Sequence, residues 1–200
     1  MKEISLLFTS LFAILLSTNY FNKNEKIVTM IGYDNIKYKL LDLPGKEACL
    51  DILVELNKNV SKIIELLRLE VDNNKVAPNI EKDDVKLLIK NYNPSSLSEN
   101  LEQNGLTAYS INKGEQICLC LRDPSNELII IDDINTLMFV LIHELGHVMT
   151  PETGHTDRFW KNMAYLLEKG SEVKKYELID YSTNPVDYCG VHVNESPYIF

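Results

Sequence analysis

Basic side chains are scarce: 20 Lys and Arg stand against 29 Asp and Glu, for a formal net charge of −9. No broad positive field is available to hold phosphate backbones, so nucleic acid is not an expected partner. Cysteine is also sparse. The four residues Cys49, Cys118, Cys120 and Cys189 are too few and too scattered for a disulfide scaffold, and they are expected to be buried thiols. Cys118 and Cys120 lie two apart in an apolar run, so on a strand their side chains project in parallel and do not meet. Glycine and proline, at 8 and 7 of 200 residues, exclude a fibrous or low-complexity chain. What is present, 45% hydrophobic and 24% charged residues, suffices for one core of ordinary size.

One long uncharged run stands apart. Residues 4–21 are apolar with Tyr20 and Phe21 at their end, and a spanning helix needs ~20 such residues. Lys2 beside Glu3 is a poor basic lead, and Leu15-Leu16-Ser17-Thr18-Asn19 offers no small-x-small cleavage site. The expectation is residues 1–22 as an N-terminal hydrophobic helix anchoring a single-pass membrane protein, with a cleaved signal and secretion as the alternative. Residues 23–200 then form one domain.

Within that domain, alternating runs at Ile27–Gly32 and Ile36–Leu41 flank the turn-prone Tyr33-Asp34-Asn35 and read as a hairpin or as one strand and a loop. Apolar residues from Leu50 to about Leu69 recur at helical spacing, and a shorter helical pattern covers Ile80 to Ile89, with Glu81, Asp83 and Asp84 where the helix dipole favours acids. Asn91 to Gly105 reads as a long loop. Strands are expected around Ile117–Leu121 and Glu127–Ile131. A nearly all-apolar helix follows from about Ile134 to Met149, capped by Asp132 or Asp133. Pro151 and Gly154 end it, a last helix runs from about Thr156 to Glu168 with Phe159 and Trp160 inward, and the tail after it is expected to be extended and irregular.

The apolar helix carries His143-Glu144-Leu145-Gly146-His147. Four-residue spacing sets both imidazoles on one face a turn apart, where they can share one metal ion. Glu144 points ~100° away from His143, in reach of a water beside the ion, and is the natural general base. A catalytic zinc needs a third protein ligand and an open position. His155, just past the Pro151/Gly154 turn, is the first candidate, with Glu152 and Asp157 as competing carboxylates. The bland reading of a histidine on an apolar helix, a satisfied core residue, is weakened because three of the chain's four histidines fall between 143 and 155. Gly146 is expected to let the neighbouring strand or turn approach closely. Asp157 and Arg158 read as part of a solvated helix face, or as partners of each other or of the ligand shell. Candidates for an oxyanion or substrate contact are Tyr188 and His192, with Tyr109 and Tyr181 behind them.

His143 to His147, followed by Gly154-His155-Thr156-Asp157-Arg158-Phe159-Trp160, resembles the zincin-fold metallopeptidases of the WLM and SprT-like group. The likeness is to metallopeptidases encoded by large DNA viruses, which are similar in the N-terminal hydrophobic segment and in three further stretches. These are Tyr109-Ser110-Ile111-Asn112-Lys113-Gly114-Glu115, Asn135-Thr136-Leu137-Met138-Phe139-Val140 and Asn184-Pro185-Val186-Asp187-Tyr188-Cys189-Gly190. It covers roughly residues 90–200 and carries little over 22–89. The resemblance implies His143, His147 and His155 as zinc ligands and Glu144 as the catalytic residue. It also implies an α+β zincin-like core, with a small mixed sheet packed on the buried H-E-x-x-H helix and its edge strand lining the substrate cleft. Some of that group cut proteins cross-linked to DNA, a role the acidic composition argues against. The function expected is zinc-dependent hydrolysis of peptide bonds in a peptide or protein substrate. The alternatives are a catalytically inactive zinc-fold membrane or binding protein, and a zinc hydrolase of a non-peptide amide.

Overall fold

The computed structural model describes residues 27–101, 107–124 and 126–197. Strands β1 (Ile27–Ile31) and β2 (Lys37–Leu41) form the expected antiparallel hairpin, with Ile27 opposite Leu41 and Ile31 opposite Lys37. Tyr38 and Leu40 of β2 point inward and are fully buried, the half-buried alternation of a strand with one wet face. Helix α1 (Lys46–Asp72) is the longest element, and Cys49, Leu53, Leu56, Val60, Ile63, Ile64 and Leu67 make its buried stripe. Helix α2 (Lys82–Asn91) follows; Val85 and Leu88 join the core, and Asp84 is buried beside them.

The expected long loop after Asn91 holds a 3-10 turn, Pro94–Ser96, and a strand β3 (Leu97–Glu99) whose three residues are all buried. Serine and glutamate at Ser98 and Glu99 hide that strand from a hydropathy reading. Glu99 is buried because its carboxylate accepts from the Leu41 N–H at 2.8 Å and from Arg122 Nε at 2.8 Å. A buried charge persists only with partners of this kind. β3 runs parallel to β5 (Gln116–Leu119), and β4 (Ala108–Ile111) pairs antiparallel on the other side of β5, giving a small mixed sheet of order β3-β5-β4 with β4 at its edge. Short pairs β6 (Arg122–Asp123) with β7 (Ile129–Ile130), and β8 (Val186–Tyr188) with β9 (Val191–Val193), complete the strands. The tail expected to be irregular therefore contains a hairpin, turned at Cys189 and Gly190, both at positive φ (49° and 80°).

Helix α3 (Ile134–Met149) lies inside, as its composition demands. Asp133 caps it, accepting from the Asn135 and Thr136 N–H groups at 3.0 and 3.2 Å. Helix α4 (Asp157–Glu172) is capped by Thr156, whose hydroxyl accepts from the Phe159 N–H at 3.2 Å. The four helices and the mixed sheet enclose one continuous core among the described residues, and the architecture is α+β.

Two expectations are corrected. Cys120 and Cys189 are not thiols but form a disulfide, with their Cα atoms 6.5 Å apart, whereas Cys49 and Cys118 are free and buried. The strand periodicity that correctly separates Cys118 from Cys120 says nothing of a partner 69 residues away. The single-pass membrane assignment is overturned as well. No helix among the described residues is long and apolar enough to cross a membrane, and residues 4–21, on which that assignment and the N-terminal helix rested, lie outside the described residues.

Candidate metal centre

His143 and His147 stand on successive turns of α3, and the chain after Pro151 returns so that His155 completes a triangle. Its Nε2 lies 3.0 Å from His143 Nε2 and 3.2 Å from His147 Nε2. Three imidazole nitrogens at these separations cannot all satisfy one another as donors and acceptors, since a neutral ring offers one N–H and one lone pair. A tetrahedral zinc with nitrogen ligands at ~2.0–2.1 Å sets its ligand atoms about 3.3–3.4 Å apart. The two separations from His155 are slightly tighter than that, and the all-nitrogen donor set suits zinc. Among the described residues it is the only group of three or more His, Cys, Asp or Glu ligand atoms gathered in this way.

Aromatic rings form the bed beneath it. Phe159, opening α4, stacks on the His147 ring at 4.4 Å between centroids and meets His143 edge-on at 5.0 Å, and Trp160 lies 5.5 Å from the His155 ring. Gly146 permits this. A Cβ there would come 3.0 Å from the Phe159 ring, so the close approach comes from α4 and not from a strand or the turn. Burial first, then the neighbouring imidazoles, push His143 down to about 3 and His147 down to about 4. Both rings therefore stay neutral, the form that ligates metal.

Glu144 is 5% exposed. Burial raises its carboxyl to about 7, against hydrogen bonds from the Ser110 hydroxyl and Ser110 N–H that pull it down. Ser110 sits on the edge strand β4, opposite Ile117, so the sheet edge runs beside the carboxylate. Ser110 belongs to a stretch quoted for its likeness to viral sequences, yet nothing local in the sequence marks it as a partner of Glu144.

The carboxylates that competed for the third ligand position stand elsewhere. Glu152 accepts from Arg158 Nη1 at 3.1 Å, and Asp157 is an exposed residue in the first turn of α4. Arg158 is not paired with Asp157. Its Nε and Nη2 grip the two oxygens of Asp84 at 2.7 and 2.5 Å, and Asn162 Nδ2 bridges Asp84 to the Thr150 hydroxyl at 2.9 and 3.0 Å. The acid read as a dipole partner of its own helix thus ties α2 to α4 and to the end of α3. Among the oxyanion candidates, Tyr188 is buried and donates to the Cys120 carbonyl at 2.8 Å, whereas His192 is exposed and paired with Asp187 at 2.8 Å. Tyr181 packs on Phe139, ring centroids 4.5 Å apart, and Tyr109 lies half-buried on β4.

No solved structure matches the chain. The uncharacterized protein R325 of Acanthamoeba polyphaga mimivirus is 32% identical over 174 residues, covering 86% of this chain and 85% of that protein. The uncharacterized protein 136R of Invertebrate iridescent virus 6 is 35% identical over 99 residues, 48% of this chain and 53% of its own length. The WLM domain matches residues 33–184, so the likeness reaches back through α1 to β2, well beyond residue 90. With that span and this histidine triangle, the chain belongs to the WLM family of zincin-like, zinc-dependent metallopeptidases.

Proposed function

We propose that this protein is a zinc peptidase in which His143, His147 and His155 hold the metal and Glu144 is the general base. The observation that carries it is the convergence of the His143 and His147 Nε2 atoms within 3.2 Å of His155 Nε2, with a buried carboxylate at Glu144 beside His143. Zinc held there would supply a Lewis acid for the scissile carbonyl and make water a usable nucleophile near neutral pH. Glu144 takes the proton of the attacking water and delivers it to the leaving amine nitrogen. Burial raises this carboxyl in the metal-free chain, which makes its carboxylate a stronger base for the first transfer.

β4 supports a peptide as the substrate. Among the described residues it is paired with β5 on one side only, and its Ser110 lies against Glu144. An extended peptide can add to such an edge through main-chain hydrogen bonds, bringing a backbone carbonyl to the triangle. The acidic charge balance argues for a polypeptide over a nucleic acid.

The test is mass-spectrometric identification of peptides cut by the purified chain with and without chelator, followed by Glu144→Gln on one of them. The substitution is expected to keep about one zinc per chain and to lower cleavage by ~10²-fold to 10⁴-fold, the loss of general-base catalysis. Near-normal cleavage would remove Glu144 from this role, and products unaffected by chelation would remove the metal.

A further inference from the structure

The segment that carries His155 has little packing of its own. Residues 151–157 are all exposed, and Gly154 has nothing within 4 Å of where a Cβ would stand. Yet His155 must reach within 3.2 Å of two nitrogens on α3. The last carbonyls of a helix also lack intrahelical donors, so the end of α3 and the loop after it present several acceptors together.

One side chain meets them. Lys113 Nζ donates to the carbonyls of His147 at 3.0 Å, Thr150 at 2.6 Å and Glu152 at 2.8 Å. An ammonium has three N–H donors, and the three acceptors lie at the second ligand, at the helix end and in the middle of the returning loop. The positive charge is also placed where the dipole of α3 is negative. The β4–β5 turn is shaped to deliver it: Asn112, Lys113 and Gly114 have successive positive φ values of 48°, 57° and 102°. For the two non-glycine residues this backbone is costly and persists only where surrounding structure holds it. Gly114 lets the turn sit on α3, since a Cβ there would lie 3.1 Å from Val148 Cγ1 and 3.3 Å from the Asn91 carbonyl.

We propose that Lys113 is a positioning residue for the metal centre, gathering the loop 150–154 around its ammonium so that His155 is presented to His143 and His147 before metal arrives. The inference rests on the reading of the three histidines as zinc ligands. Lys113 makes its three hydrogen bonds to main-chain carbonyls, so its effect should run through the placement of His155.

The experiment compares wild type with Lys113→Met, which keeps length and loses the donors, and Lys113→Arg, which keeps charge and donors, all in the full chain. Zinc affinity is read by competition with a chromophoric chelator. Lys113→Met is expected to weaken zinc by about 10-fold to 100-fold, the usual effect of removing an outer-shell partner, and Lys113→Arg to recover most of it. In a His155→Ala background, Lys113→Met should weaken zinc by no more than about twofold further, because contacts that act through one residue are not additive. In metal-free protein, amide exchange at 150–156 should quicken in Lys113→Met while the middle of α1 is unchanged. Unaltered zinc affinity in Lys113→Met would overturn the proposal and leave the lysine a mere loop staple. An equal loss with and without His155 would also overturn it, by placing the effect on the helix. A wild type that takes up no zinc, beside a His155→Ala variant that behaves identically, would overturn the metal reading itself and this proposal with it.

Discussion

At the scale of single residues the candidate site is a set of buried side chains whose protonation is set by their surroundings, in the sense that the proposed ligation and proton transfer require. His143 and His147, pushed down to about 3 and about 4 from 6.5, bind fewer protons in the folded chain than in the unfolded one as pH drops below 6.5. Their contribution to stability is present above 6.5 and is lost as acid titrates the unfolded rings. Glu144, raised from 4.5 to about 7, works the other way: its contribution is fully present below 4.5 and is lost as pH rises toward 7. Two imidazoles oppose one carboxyl. Chelator-treated protein should therefore become less stable as pH falls from 6.5 to 4.5, seen as a falling urea midpoint. Glu144→Gln removes the opposing contribution and should steepen that fall. A midpoint that is flat or rises on acidification over this range in wild type would contradict the assignment.

At the scale of elements, the loop carrying His155 is bounded by α3 and α4, and α4 is tied to α2 by the fork of Arg158 on Asp84. The two partners are unequal. Asp84 is 1% exposed, whereas the Arg158 side chain is 37% exposed, so an abandoned Arg158 can turn to water and an abandoned Asp84 cannot. Arg158→Ala, which leaves a buried carboxylate with Asn162 alone, should cost about 3 kcal/mol. Asp84→Ala should cost clearly less, and the double variant Asp84→Leu with Arg158→Met should recover part of the Arg158→Ala loss. Denaturant titration of the three variants reads this order, and equal costs for the two single changes would refute the argument from unequal burial. The same elements show how sequence reading succeeds and fails. The positions of α1, α3 and α4 follow from apolar periodicity and from caps at Asp133 and Thr156, all of which are local. β3 was missed because Ser98 and Glu99 are polar, and they are tolerated inside only through contacts with residues such as Cys118, Leu41 and Arg122.

At the scale of the whole molecule, the C-terminal hairpin β8–β9 is secured to the far end of β5 by the Cys120–Cys189 disulfide and by the Tyr188 hydroxyl on the Cys120 carbonyl. A cross-link closing 69 residues of chain restricts the unfolded ensemble by about 4 kcal/mol in the chain-entropy account. Cys189→Ser is expected to lower stability by that order in denaturant titration, and a dithiol reductant should reproduce the loss in wild type while leaving the variant unchanged. No difference between oxidised and reduced wild type would show that the hairpin is held by packing alone.

What the sequence determined by itself is what short chain segments can encode. Two histidines four apart on a helix share a face by geometry alone, Glu144 is set beside them by the same geometry, and His155 lies only eight residues beyond His147. The candidate metal centre was therefore legible as a motif, along with the buried character of its helix. What only the tertiary structure decided is which distant groups meet there: Ser110 with Glu144, Phe159 beneath the imidazoles at Gly146, Lys113 with the end of α3, Asp84 with Arg158, Cys120 with Cys189. Periodicity reports that a face is buried but not against what. Such partners are chosen when segments tens of residues apart are brought together by the core, where a buried charge, donor or acceptor must find whichever counterpart the packing supplies.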